Sequence, residues 1–90
     1  MPAFFNPIGM YTVYVLQSEK DGRLYKGFTN DLKRRIQEHN SGHTRSTRAF
    51  CPWKLVYSEN YSTQQAARER ELFFKTGEGR AFLKKLIASS

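Results

Sequence analysis

The stretch LYKGFTNDLKRRIQEHNSG, residues 24–42, begins with the residue types of a strand and ends with the spacing of a helix. Residues 23–28 combine aromatic and apolar side chains, which is typical of a β-strand. Asn30 is a good N-cap, and Asp31 places a carboxylate in the first helical turn, where the helix dipole favours it. Gly42 indicates the end of the helix. The stretch therefore predicts a strand that leads directly into a helix.

A hairpin and a third strand lie on either side of this stretch. Residues 11–17, YTVYVLQ, are rich in Tyr, Thr and Val and predict a strand. Asp21 and Gly22 form a turn signal between that strand and residues 23–28, so the two strands are expected to pair. Residues 53–59, WKLVYSE, predict a third strand.

Two helices are expected after the third strand. Ser62 with Gln65 has the spacing of a capping box and predicts a helix over residues 63–75. Gly77 and Gly79 are expected to break that helix. A last helix carries an apolar stripe made of Phe82, Leu83, Leu86 and Ile87.

The predicted order is β-β-α-β-α-α, which indicates an α+β fold: a small three-stranded antiparallel sheet flanked by helices. The 90 residues are divided into a loose N-terminal arm, residues 1–10, and one domain, residues 11–88. No apolar run approaches the length of about 20 residues that spans a bilayer, so no membrane association is expected. The lone Cys51 excludes an internal disulfide framework and suits a reducing compartment, so we expect a cytoplasmic protein.

The chain is basic, and its charge is concentrated in one region. Its 15 Lys and Arg exceed its 8 Asp and Glu, for a net charge of +7. Residues 31–54 hold six bases against two acids. Such a field favours polyanions, above all nucleic acid phosphates, although a solvated surface that only aids solubility explains it equally well. The six bases are Lys33, Arg34, Arg35, Arg45, Arg48 and Lys54.

Glu71 is an anomaly on the helix predicted over residues 63–75. It shares a face with Ala67 and Phe74, which should be the inner face of the helix. A carboxylate there is costly unless it is paired or binds a cation. An ion pair with Lys75 or with Arg68 explains it as well as a functional role does.

Two further pairs of residues have functional and structural interpretations. Arg35 and His39 are four residues apart on the first helix, where they could hold a phosphate and move a proton; a boundary arginine and a C-terminal histidine favoured by the helix dipole are the structural alternative. Tyr14 and Tyr25 lie on the two strands of the hairpin. Tyrosine in a small sheet is usually structural, and a tyrosine base needs a cation nearby.

The arrangement of these residues is more specific than any one of them. The pattern consists of two tripeptides on the paired strands followed by residues on two helices. In chain order these are Thr12-Val13-Tyr14, Tyr25-Lys26-Gly27, Arg35 and His39 on the first helix, and Ala67, Glu71 and Lys75 on a later helix. This pattern resembles the GIY-YIG nuclease superfamily, specifically its small single-domain branch, over about residues 11–87. The superfamily includes the nuclease domains of excision-repair incision enzymes and homing endonucleases.

The resemblance implies a metal-dependent phosphodiesterase that cuts DNA, with RNA as a further candidate substrate. It implies that Glu71 holds one Mg²⁺, for which Mn²⁺ can substitute, and that Tyr14 or Tyr25 acts as general base. It further implies that Arg35 contacts the scissile phosphate and that His39 assists the base. Nucleic acid contacts are expected from Lys26, Lys33, Arg34, Arg45 and Arg48.

Two other functions remain open on the sequence. The first is a module of the same fold that binds nucleic acid without cutting it, using the basic segment 31–54 with Phe50 and Trp53 nearby. Simple packing is the favoured interpretation of those two aromatic residues. The second is an interaction domain that keeps only the fold.

Overall fold

A computed structural model describes residues 8–89, so most of the arm predicted for residues 1–10 lies outside the described residues. The order β-β-α-β-α-α and the α+β class are confirmed. A short 3₁₀ turn precedes the third strand. The elements are β1 (Tyr11–Ser18), β2 (Leu24–Thr29), α1 (Leu32–Asn40), β3 (Trp53–Tyr61), α2 (Gln64–Phe74) and α3 (Gly77–Ala88).

The three strands form one antiparallel sheet in the order β2-β1-β3, so β1 is the central strand. Because side chains alternate along a strand, β1 sends Val13 and Val15 to one face and Tyr14 and Leu16 to the other. All four are at most 1% exposed. The near-continuous apolar composition of β1 is therefore explained by burial on both faces.

Each face of the sheet has its own core. On one face Val13 and Val15 pack with Ala67 and Phe74 of α2 and Leu83 of α3. On the other face Tyr14 and Leu16 pack with three further buried residues, Leu32 and Ile36 of α1 and Trp53 of β3. The sheet is thus enclosed between α1 on one side and the α2–α3 pair on the other. Trp53 is 4% exposed, as its packing interpretation predicted.

The predicted starts of two helices are each displaced by one residue. Asp31, not Asn30, is the N-cap of α1, since its side chain accepts a hydrogen bond from the backbone N–H of Arg34. Thr63, not Ser62, caps α2 by accepting from the N–H of Ala66. In both cases two capping residues stand next to each other in the sequence, and only the backbone conformation selects between them.

The break between α2 and α3 lies before the glycines rather than at them. Thr76 caps α3 by accepting from the backbone N–H of Gly79, and both Gly77 and Gly79 are inside α3. A Cβ built on Gly79 would lie 1.9 Å from the carbonyl oxygen of Phe73. The glycine therefore permits the tight junction that brings α3 against α2.

The apolar stripe predicted for α3 is only partly buried. Leu83 is fully buried, whereas Phe82 is 38% exposed. Phe82 stacks on Phe74, with ring centroids 6.2 Å apart. No helix within residues 8–89 is long and apolar enough to cross a bilayer.

Candidate active site

Tyr14 lies at the centre of the candidate site, and a glycine on the neighbouring strand makes room for it. Tyr14 of β1 pairs in register with Gly27 of β2. A Cβ at Gly27 would lie 2.6 Å from the Tyr14 hydroxyl oxygen, so the phenol ring lies directly over the glycine. Any other residue at position 27 would displace the hydroxyl group that the rest of the site contacts.

A hydrogen-bonded chain runs from Tyr14 through His39 into the loop after α1. The Tyr14 hydroxyl lies 3.1 Å from Nε2 of His39, and Nδ1 of His39 lies 2.8 Å from Oγ1 of Thr47. The Thr47 hydroxyl donates in turn to the carbonyl of Thr44, at 3.4 Å. The tautomer that satisfies these contacts carries its proton on Nδ1, so Nε2 accepts from Tyr14.

Burial determines the protonation of both partners. His39 lies in the last turn of α1 and is fully buried. Burial, followed by the positive charge of Arg35, lowers the pKa of His39 to about 4. Burial and the neighbouring Tyr25 raise the pKa of Tyr14 to about 12. The isolated protein therefore holds a neutral phenol donating to a neutral imidazole at neutral pH.

Tyr25 completes an aromatic wall around this pair. Its ring centroid lies 4.7 Å from that of His39 and 6.3 Å from that of Tyr14. Trp53 supports the far side at 6.2 Å. Tyr25 is half-buried, so it is held against the site while part of the side chain reaches solvent.

Arg35 places a cation beside the Tyr14 hydroxyl. Burial opposes its charge, but hydrogen bonds to Glu38 and to Tyr14 outweigh that cost and raise the pKa of Arg35. The bond from Nη1 of Arg35 to Oε1 of Glu38 measures 2.9 Å. The guanidinium has five donors, so it can hold Glu38 and still offer hydrogen bonds to a phosphate.

Glu71 approaches the site from α2. Ala67 and Phe74 on its helix face are fully buried, as predicted, and the Glu71 side chain is 15% exposed. Its carboxylate forms an ion pair with Lys75 at 2.9 Å, which is one of the two pairings predicted as the structural alternative. Its negative charge also contributes to the raised pKa of Tyr14, so the two groups are electrostatic neighbours.

The donor set around Glu71 fits a weakly held Mg²⁺. Within residues 8–89, no three His, Cys, Asp or Glu side chains are grouped to hold a metal. Glu71 supplies an oxygen ligand of the kind Mg²⁺ accepts, and Mg²⁺ commonly keeps several waters and takes substrate phosphate as a further ligand. The ammonium of Lys75 competes for the same carboxylate.

The five predicted nucleic acid contacts are spread over two regions. Lys26 is half-buried on β2, where burial and then the charges of Arg80 and Lys75 lower its pKa. The other four are exposed on α1 and the following loop, and they are Lys33, Arg34, Arg45 and Arg48. Arg34 lies 3.8 Å from Glu38, so part of its charge is compensated.

Thr47 and Arg80 belong to this region and were not identified from the sequence. Thr47 is 1% exposed and holds His39, but it stands in a polar loop with no periodicity to mark it. Arg80 is a charged residue on the last helix whose proximity to Lys26 depends on how α3 packs. Neither residue carries a local signal that would have revealed its position.

Comparisons with known proteins match most of the chain. A family model described as the GIY-YIG catalytic domain matches residues 10–85. A UPF0213 protein of Streptococcus agalactiae is 47% identical over 64 residues, which is 70% of this chain and 72% of that protein. A UPF0213 protein of Bacillus licheniformis is 46% identical over 69% of this chain and 64% of its own length. The solution structure of a Bacillus halodurans UPF0213 protein, 31% identical, superposes with a TM-score of 0.53 over 86% of this chain and 84% of its own.

Proposed function

Because this chain belongs to the GIY-YIG family, a family of nucleases, we propose that it is a metal-dependent endonuclease that hydrolyses DNA phosphodiester bonds. Low sequence specificity and a role in DNA repair or processing are part of the proposal. The observation that carries it is the hydrogen bond of the Tyr14 hydroxyl to His39, made beside Arg35 and within the field of Glu71. This arrangement places a proton acceptor, a cation and a carboxylate around one phenol.

Tyr14 and His39 supply the proton path in this proposal. As the attacking water bonds to phosphorus, the bond from phosphorus to the leaving oxygen breaks. The water passes its proton to the phenol oxygen while the phenol proton moves to Nε2 of His39, and the leaving oxygen takes a proton from solvent. The low pKa of His39 makes this transfer unfavourable in the free protein. The negative charge of a bound phosphate favours the imidazolium and raises that pKa, so proton acceptance is coupled to substrate binding.

Arg35 and Tyr25 act on the phosphate. The guanidinium of Arg35 stabilises the charge that develops on the phosphate oxygens in the transition state. Neutral tyrosines approach a phosphate without the repulsion that a carboxylate base would encounter. The Tyr25 ring keeps His39 packed and limits water around the proton path, because its centroid lies 4.7 Å from the imidazole.

Glu71 is the residue that would hold a divalent cation. When bound there, Mg²⁺ would neutralise charge on the scissile phosphate and on the leaving oxygen. Lys75, now paired with Glu71, would be released toward the phosphate backbone. Glu71 thus has to exchange one cation for another, which predicts weak metal affinity in the absence of nucleic acid.

The pairings in the free site favour one competing function, a module that binds nucleic acid without cutting it. Glu71 is paired with Lys75, Arg35 is paired with Glu38, and the pKa of Tyr14 is raised rather than lowered. A site that stays in this state would bind phosphate through its remaining cations but could not activate water. Binding without cleavage is the result expected of such a module.

A cleavage assay on single-stranded, duplex and branched DNA, with RNA alongside, separates the two functions. We expect the wild-type protein to cut DNA in the presence of Mg²⁺ or Mn²⁺. Glu71→Gln should reduce cleavage by about 100-fold or more, because the metal ligand that it removes accounts for several kcal/mol of transition-state stabilisation.

Glu69→Gln is the matched control, because it removes the same charge from an exposed position of α2 and should cut normally. Binding of DNA by the wild-type protein with no cleavage of any substrate would refute the nuclease and support the binding module. Equal activity of Glu71→Gln and Glu69→Gln would refute the assigned metal ligand.

A further inference from the structure

A groove of about 520 Å³ lies between the edge strand β2 and helix α3. Its floor contains Leu24 of β2 and Ile87 of α3, and its rim carries Lys26, Arg80 and Lys84. Gln17, Gly22, Arg23 and Ala88 complete the lining, so no acidic residue lines it. An apolar floor with a cationic rim matches a nucleotide, whose base has apolar ring faces and whose phosphate is anionic.

The groove uses one face of α3. Arg80, Lys84 and Ile87 are four and three residues apart, so they follow one side of the helix. Lys85, the next residue along the chain, lines a different depression with Phe82. The cations at positions 80 and 84 are therefore directed to the groove by the helical repeat, whereas that at 85 is not.

The positive charge of the rim is uncompensated. Within residues 8–89, none of Lys26, Arg80 and Lys84 forms an ion pair, whereas Arg23 pairs with Asp21 at 2.7 Å. Burial lowers the pKa of Lys26, and the charges of Arg80 and Lys75 lower it further, so these cations repel one another. Repulsion of this kind opposes folding, and a bound anion relieves it.

The rim is linked electrostatically to the ion pair of Glu71. Lys75 forms the ion pair with Glu71, and Lys75 and Arg80 both act on Lys26. A line of cations thus leads from Glu71 across β2 into the groove.

We propose that this groove binds a single-stranded segment of the nucleic acid substrate, with phosphates on Arg80 and Lys84 and one unpaired base on the Leu24–Ile87 floor. The inference rests on the proposed function, because it extends the substrate path from the site around Glu71. It also specifies the substrate: a nucleic acid with at least one unpaired nucleotide beside the cut. A base held inside a duplex cannot reach the floor.

The test is binding of a fluorescent single-stranded DNA of about 12 nucleotides, measured by anisotropy in EDTA so that nothing is cut. Removing one cation that binds a phosphate reduces the salt dependence of single-strand binding by about 0.7 in log–log slope. At about 0.1 M salt this corresponds to about fivefold in affinity for each such cation, so Arg80→Ala with Lys84→Ala should weaken binding by about 25-fold and reduce the slope by about 1.4.

Lys85→Ala is the matched control for Lys84→Ala, because it removes the same charge one residue away from the same helix. We expect Lys84→Ala to weaken binding by about fivefold and Lys85→Ala by less than about twofold. A blunt duplex of the same sequence should be weakened by less than about fivefold in the double variant. Lys84 and Lys85 are both exposed, so neither substitution should lower the thermal unfolding temperature, which serves as the folding check.

Equal weakening in Lys84→Ala and Lys85→Ala would overturn the groove, since only general charge would then matter. A duplex whose binding weakens as much as that of the single strand would overturn the assignment to an unpaired nucleotide. The two proposals fail separately. If DNA binding depends on Arg80 and Lys84 but no substrate is cut, only the proposed nuclease activity is contradicted. If cleavage depends on Glu71 but the Arg80 and Lys84 substitutions leave binding unchanged, only the proposed groove is contradicted.

Discussion

Buried His39 should make the stability of the folded protein depend on pH in a defined window. Its folded-state pKa is about 4, against an ordinary value of 6.5 in the unfolded chain. Between those values the unfolded chain binds a proton that the folded protein does not, so lowering the pH favours unfolding. The stabilisation is fully present above pH 6.5, is lost as the pH falls, and reaches its full loss near pH 4.

The size of the effect follows from the shift. Linkage between the values 6.5 and about 4 gives about 2 kcal/mol of lost stability between about pH 7.5 and about pH 5. Screening by water around a domain this small reduces the figure, so we expect about 1 to 2 kcal/mol. That is a substantial part of the stability of a 90-residue domain.

The measurement compares wild type with His39→Gln in urea unfolding at about pH 7.5 and about pH 5. Glutamine keeps an acceptor for the Tyr14 hydroxyl but does not titrate. The carboxylates are common to both proteins, so their contribution cancels in the difference. The free energy of unfolding of the wild type should fall by about 1 to 2 kcal/mol more than that of the variant. Parallel pH dependence in the two proteins would refute the assignment of a neutral His39 that accepts from Tyr14.

Three further predictions concern the packing that positions the site. Gly79→Ala should destabilise the protein by about 2 kcal/mol or more, because its Cβ would lie 1.9 Å from the carbonyl oxygen of Phe73. Gly77→Ala should instead stabilise the protein by about 0.5–1 kcal/mol, since nothing lies within 4 Å of a Cβ there. Urea unfolding of the two variants checks both predictions. Equal changes in the free energy of unfolding would contradict a tight α2–α3 junction at Gly79. Arg70→Met should cost about 1–3 kcal/mol, because Arg70 binds both carboxylate oxygens of Glu59, at 2.9 and 3.2 Å. A double-mutant cycle with Glu59→Gln that shows no coupling would contradict this ion pair as a link between α2 and β3.

The element order was predictable because each element carries its signal locally. The β-rich composition of residues 11–17, the Asp21-Gly22 turn and the apolar spacing of the last helix do not depend on distant residues. The helix starts at Asp31 and Thr63 were each missed by one residue. Each adjacent pair, Asn-Asp and Ser-Thr, offers two side chains that can cap a helix. The sequence does not indicate which of the two residues will adopt the non-helical backbone angles of the N-cap.

The sequence predicted which residues form the candidate site, and their roles stay predictions; their burial and protonation became visible only in the structure. Tyr14, Tyr25, Arg35, His39 and Glu71 were identified by their order and spacing along the chain. His39 lies in the last turn of α1, as its structural alternative predicted, but only the structure shows that it is fully buried. Burial of that kind depends on α1 closing over the sheet, which no local pattern encodes.

Three features can be read from the sequence alone: the alternation that forms the strands, the capping signals near the helix starts, and the order of residues shared with GIY-YIG nucleases. These are short-range properties, set within a few residues along the chain. Two relationships depend on the tertiary structure: Tyr14 donates to His39, 25 residues away, and Arg80 of the last helix lies near enough to Lys26 of an early strand to lower its pKa. The pKa values and the groove follow from those long-range contacts, because desolvation and Coulomb interactions depend on distance in space rather than on separation in sequence.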